Sequence, residues 1–172
     1  MTVSGRDRAD EPYWNRLVEH LGRSDIDAVM QDAEVADRSR RVVDENRRYK
    51  DFLLARTELR EHVAVTDARD YPDAPDGNRF LTYSLFPQCS VHVRIRRDAK
   101  DPERISVSVG HSIFNRTCNV NVGLMLGQFG GGGHRGAGGC SFDASLADDY
   151  IPRIIGILLV NAPNEPPDGE GR

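Results

Sequence analysis

From Glu34 to Arg60 no glycine or proline interrupts the chain, and Val35, Val42, Tyr49, Phe52, Leu53 and Leu59 recur at helical spacing. This pattern predicts a long amphipathic helix over 34–60, within a helical region covering 11–60. Ser24, followed by Asp25 and Asp27, reads as a helix N-cap with acidic first-turn residues leading into Ile26, Val29 and Met30. The period changes after Glu61. His62–Thr66, Cys89–Ile95 and Arg104–Val109 alternate in the manner of half-buried strands. A turn-rich acidic stretch, Asp67–Gly77, and a short helix, Phe80–Phe86, separate the first two, and Pro87 stops that helix. Asp98–Glu103 reads as a hairpin turn. Val120–Phe129 reads as a buried helix ending at a glycine run, Gly136–Phe142 as a strand, and Ala144–Val160 as a closing helix kinked or restarted at Pro152. The fold class expected is α/β, a mixed β-sheet flanked by helices and preceded by a helical N-terminal segment. The divisions expected are 1–60 helical, 61–162 α/β, and 163–172 a disordered tail.

At 172 residues, with 38% apolar and 29% charged residues, the chain has room for one ordinary domain with a helical appendage. Ile151–Val160 is too short for a membrane span, and Met1–Asp10 lacks the apolar core of a signal peptide, so a cytoplasmic protein is expected. The net charge of -4 provides no global attraction to a polyanion, so any nucleic-acid contact has to be local. Arg38, Arg40, Arg41, Arg47, Arg48 and Lys50 alternate with Asp37, Asp44, Glu45 and Asp51, which describes a solvated helix face. Cys89, Cys118 and Cys140 suit neither a zinc knuckle nor a disulfide framework and read as buried free thiols.

The segment Gln128–Gly139 carries four consecutive glycines, Gly130, Gly131, Gly132 and Gly133, followed by His134 and Arg135. Ordering a residue's backbone costs about 1–2 kcal/mol, and more for glycine, so an ordered run requires compensation. Apolar anchors on both sides, Leu124 to Leu126 with Phe129 and Ala137 with Cys140, imply that the run is ordered. Two readings follow. The N–H groups converge as an anion-binding nest with His134 and Arg135 at its rim, or the glycines only permit close packing. The G-x-G-x-x-G spacing at Gly131–Gly136 lacks the strand-then-helix context of a dinucleotide site, and no phosphate-loop motif occurs. A second cluster, Gly110–Thr117, brings Asn115, Arg116 and Thr117 together after a strand, a set suited to phosphate and sugar. Phe114 in this cluster reads equally as a stacking residue or a core residue.

The run Gly-His-Ser-Ile-Phe-Asn-Arg-Thr117, then Asn-Val-Asn-Val122, then Phe-Gly-Gly-Gly-Gly-His-Arg-Gly-Ala-Gly138 resembles the DHH-associated, substrate-binding C-terminal domain of DHH phosphoesterases. That superfamily includes single-strand exonucleases, nanoRNases and exopolyphosphatase-like proteins, and Asn78-Arg-Phe80 and Leu85-Phe-Pro-Gln88 resemble the last group. The resemblance runs over roughly residues 24–160. It implies that Arg116, Gly131, Gly132, Gly133 and His134 line a phosphate and nucleotide-backbone pocket, with Asn115, Thr117 and Gly130 beside them. His111 stands where a Lys is expected, and Gly136 where an Ala is expected.

In that superfamily hydrolysis belongs to a separate domain whose Asp and His residues hold two divalent metals. No Asp-His-His occurs here, and Asp67, Asp70, Asp73 and Asp76 read as turn residues rather than as a cage. The expectation is a chain without cofactor of its own, Mn or Mg entering only with a partner DHH domain. It would bind a short single-stranded oligonucleotide or a related phosphorylated ligand and would not hydrolyse it alone. Two alternatives are an accessory half of a split phosphoesterase and a structural or dimerising relic. RNA, DNA, adenosine bisphosphate and polyphosphate all present the anionic oxygens such a pocket would take.

Overall fold

The computed structural model describes residues 10–98 and 100–165, which fall into two compact units. The first comprises the chain up to Lys50 together with Pro75–Asn78; the second comprises Asp51–Ala74 and the chain from Arg79 onwards. The division thus falls earlier than the boundary at residue 60, and a short internal segment crosses it.

In the first unit, α1 (Glu11–Arg23) begins with Pro12 in its first turn and ends with His20 and Arg23 in its last, in keeping with the helix dipole. Ser24 terminates this helix, its N–H donating to His20 O. The N-cap of α2 (Ile26–Gln31) is Asp25, whose side chain accepts from Ala28 N at 2.8 Å, so the cap lies one residue beyond the Ser24 expected from sequence. Asp32 joins α2 to α3 (Ala33–Arg56), accepting from Glu34 N and Val35 N. Arg38 lies 3.9 Å above the Tyr13 ring and bonds Asp10 and Glu34, which ties α1 to α3. The charged face of α3 carries i,i+3 and i,i+4 pairs from Asp37 to Arg40 and Arg41 and from Asp44 to Arg47, as a solvated face should. Val42 is exposed. Tyr49 is buried, and Gly77 packs against its ring so closely that a Cβ there would lie 2.5 Å from it.

The second unit starts with the last turns of α3, where Leu53 is fully buried and Phe52 meets Tyr71 edge-on. The helix stops at Arg56, not at residue 60. Thr57–Arg60 forms strand β1, which folds back on β2 (Val63–Asp67) through a turn holding Glu61 at φ 53°. Tertiary pairing overrides the helical pattern here. Thr57 and Thr66 bond hydroxyl to hydroxyl at 2.8 Å, and Leu59 joins Ala64, Tyr83 and Cys89 in a small cluster. The short helix α4 (Leu81–Leu85) lies in the connection to β3 (Val91–Arg97), which runs parallel to β2. β3 and β4 (Arg104–His111) form an antiparallel hairpin. After α5 (Val122–Gly127), β5 (Gly132–His134) pairs with β6 (Ala137–Asp143), giving the order β1-β2-β3-β4-β6-β5. The chain closes with a 3₁₀ turn, Ala144–Leu146, and α6 (Ala147–Val160). α6 is a single helix with Pro152 inside it, so it does not restart there.

One sheet face is the core. Val63, Val65, Val91, Val93, Ile95, Ile105, Val107, Val109, Cys140 and Phe142 pack with Val122, Met125 and Leu126 of α5 and Ile151, Ile154, Ile155 and Leu158 of α6. The alternate positions, including Ala64, His92, Gly110, Ala137 and Gly139, form the opposite face. Tyr83 covers part of it, donating to Gly110 O and meeting His92 edge-on. The cysteines are free and buried as expected; burial pushes Cys89 and Cys140 up to about 11 and raises Cys118. At pH 8 a disulfide reagent should therefore titrate none of the three thiols within minutes in the native protein and all three in denaturant. A rapidly reacting thiol in the native protein would contradict this burial.

Residues 161–165 are docked rather than frayed. Asn161 sits in the left-handed region at φ 54° and ends α6, and its side chain accepts from Asn119 N and donates to Thr117 O. Asn164 bonds both main-chain groups of Asn121. The rest of the tail expected at 163–172 lies outside the described residues. No helix among the described residues is long and apolar enough to cross a membrane.

Candidate functional site

The two clusters singled out in the sequence meet at the C-terminal end of β4. The hairpin joining β5 to β6 turns at Arg135 and Gly136, and both carbonyls of the turn are engaged: His111 N donates to Gly136 O at 2.8 Å and Val122 N to Arg135 O at 3.0 Å. The first bond comes from the end of β4 and the second from the start of α5, so the His134–Arg135 turn is fixed on two sides. Register places His134 opposite Ala137, and Ala137 opposite Gly110, on the face away from the core. His134 is exposed. Its Nδ1 accepts from Gly136 N at 3.2 Å, which leaves the proton of the neutral ring on Nε2 as a donor.

The glycines take the packing role rather than the nest. Gly130, at φ 74°, terminates α5 in the left-handed region. Gly130 N and Gly131 N donate back to Gly127 O and Leu126 O, so neither points at a ligand. Gly132 and Gly133 belong to β5, which extends the sheet instead of cupping an anion. A Cβ on Gly123 would lie 2.5 Å from Gly133 O, so α5 and β5 approach to a distance that only glycine allows. Gly132 differs from its neighbours: a Cβ there meets nothing within 4 Å.

In the other cluster, Ser112 is buried and its Oγ accepts from both Phe114 N and Asn115 N. Asn115 uses both ends of its amide, donating to Gln88 O and accepting from Thr117 Oγ1 at 2.7 Å. Asn115 and Thr117 therefore hold the loop in shape through their bonds to Gln88 and to each other. Arg116 is exposed, with Nε on Ile113 O and no carboxylate partner among the described residues. No hydrogen bond or ion pair joins Arg116 to His134 among the described residues.

His111, which stands where the resemblance implies a Lys, belongs to this corner. Its Nε2 meets Val120 O at 2.9 Å, and its ring and that of His134 both lie near Gly136. Burial, opposed by the bond to Val120 O and aided by the charge of Arg135, holds it below the ordinary histidine range. The signal for it was its place between a strand end and Ser112, where a cation was expected. Arg135 pairs with Glu165, which also accepts from Asn121 Nδ2 at 2.7 Å.

Among the described residues no three His, Cys, Asp or Glu side chains come together. His62, His92 and His111 each place Nε2 against Leu158 O, Thr66 Oγ1 and Val120 O, and Asp67 is doubly bonded by Arg69.

No family model matches the chain, and no curated protein matches it by sequence. Among solved structures it is similar to PggH, a pGpG-specific phosphodiesterase from Vibrio cholerae, with TM-score 0.84 and 24% identity over 88% of this chain and 51% of that one. This chain has the fold of about half of that phosphodiesterase. An exopolyphosphatase-related protein from Bacteroides fragilis matches at TM-score 0.49 and 13% identity, over 87% of this chain and 44% of the other. The chain thus spans about half the length of each. The likeness to PggH extends over most of the described residues and agrees with the α/β fold expected from the sequence.

Proposed function

We propose that the chain binds the phosphate backbone of a short oligonucleotide, with His134 Nε2–H and the Arg116 guanidinium as donors to non-bridging phosphate oxygens. The observation that supports this most is the pinned hairpin turn. It presents an exposed imidazole on a fixed backbone at the strand end that also carries the Arg116 loop. A preset donor loses little conformational entropy on binding, whereas a flexible one does. Gly132, with open space where a side chain would project, lies beside His134 and lets a ligand come close to the β5 backbone. The pGpG named for PggH is the natural first probe.

In a titration of the full chain with 5′-phosphorylated diguanylate, affinity should fall with added salt, as expected when cations neutralise phosphates. His134→Ala and Arg116→Ala should each weaken binding by about 1.5–3 kcal/mol, the range for a hydrogen bond to a charged group, without lowering the melting temperature. Wild-type protein that shows no salt-sensitive binding would remove the proposal.

A second reading is favoured by the half-length match to PggH: the chain supplies its binding corner to a metal-bearing phosphodiesterase domain. Mn-dependent release of nucleotide should then be absent with the chain alone and appear with that domain added. Hydrolysis by the chain alone would overturn both readings as stated.

A further inference from the structure

Phe114 is 64% exposed, the most exposed of the six phenylalanines, and it makes no ring contact among the described residues. Nothing in the core accounts for it, so of the two sequence readings the core one is excluded. The backbone beneath it is rigid. Ser112 N donates to Ser90 O, Ser112 Oγ takes the N–H groups of residues 114 and 115, and Asn115 is bonded at both ends of its amide. An apolar ring left in water on this backbone loses the benefit of burial. Two positions along, Arg116 is held by its own loop through Ile113 O.

We propose that Phe114 is the stacking platform for a nucleobase whose phosphate is held by Arg116, and that this ring restricts the ligand to nucleotides. The assignment rests on the phosphate-binding reading of Arg116 and His134 and adds the contact that would hold the base. A bare polyphosphate has oxygens for the guanidinium but no π-face for the ring. The exposed large apolar side chains on this loop are Phe114 and Ile113, too few for a stable protein interface but enough for one stacked base.

The test uses the full chain, with 5′-phosphorylated diguanylate and inorganic tripolyphosphate as probes. Phe114→Ala should weaken diguanylate binding by about 5- to 150-fold, the range for loss of one base–aromatic stack, and leave tripolyphosphate binding unchanged. Phe114→Trp should restore it, with tryptophan fluorescence quenched on addition of diguanylate. Arg116→Ala should weaken both probes. The inference is overturned if Phe114→Ala weakens both probes equally, which marks a loop-shape effect, or weakens neither. It is also overturned if that variant changes only the oligomeric state, which marks a surface between copies. Arg116→Ala and His134→Ala separate the two levels: if they reduce diguanylate binding while Phe114→Ala does not, only the stacking assignment fails. If wild-type protein binds neither probe, the phosphate-binding reading fails with it.

Discussion

Replacing Gly131 with alanine is expected to destabilise the second unit by about 3 kcal/mol or more, while the same change at Gly132 leaves stability within about 1 kcal/mol. A Cβ at Gly131 would stand 2.3 Å from Gly139 O and 2.4 Å from Cys140 Cβ, both in β6, and main-chain atoms of a paired strand cannot move aside as a side-chain tip can. At Gly132 the added methyl meets nothing within 4 Å, and the unfolded chain loses freedom. In thermal unfolding the first variant should melt about 10 °C lower and the second within a few degrees of wild type. Equal tolerance at both positions would mean that β5 does not lie on β6 as described. Gly132→Ala has a further use: intact stability with lost diguanylate binding would report a ligand seated against β5.

Acid should weaken the fold through His92. The ring is buried, hydrogen-bonded to Thr66 Oγ1 at 2.8 Å, and burial, with Arg94 nearby, lowers its pKa to about 4. An unfolded histidine titrates near 6.5, so between that value and 4 the unfolded chain binds the proton that the folded chain refuses. The contribution of the neutral ring is complete above about pH 6.5 and declines as pH falls through the unfolded value, by about 3 kcal/mol in all by pH 4. Half-buried His111, also shifted down, adds in the same direction. Urea unfolding of wild type and His92→Gln at pH 7 and pH 4.5 should show the larger acid loss in wild type. Parallel losses in the two proteins would show that His92 does not carry the effect.

Strands whose apolar positions alternate were legible in the sequence because each buries one face: β2, β3, β4 and β6 lie within a few residues of their expected places. β1 was not, since four residues after an uninterrupted helical run carry too little pattern, and what makes Thr57–Arg60 a strand is its pairing with β2. β5 was hidden for a related reason: three residues, two of them glycine, have no side-chain alternation to read, and the run looks the same as a loop or an extended strand. The site was legible in composition rather than in geometry. Arg116 and His134 are exposed, but the bonds of Asn115 and Thr117 depend on Gln88 and on each other, a relation that spacing does not reveal. The tail asparagines illustrate the same limit, because Asn161 and Asn164 act on residues more than forty positions earlier.

The sheet has brief borders. One is β1, with four residues that include Glu58 and Arg60; the other is β5, with three residues that are mostly glycine. A neighbouring molecule would find only a handful of unpaired amide groups at either margin, beside charge in one case and a side-chain-free backbone in the other. Intermolecular strand addition, a common route to aggregation of exposed sheets, thus has little template here. Crowded copies of this protein should remain separate at those margins.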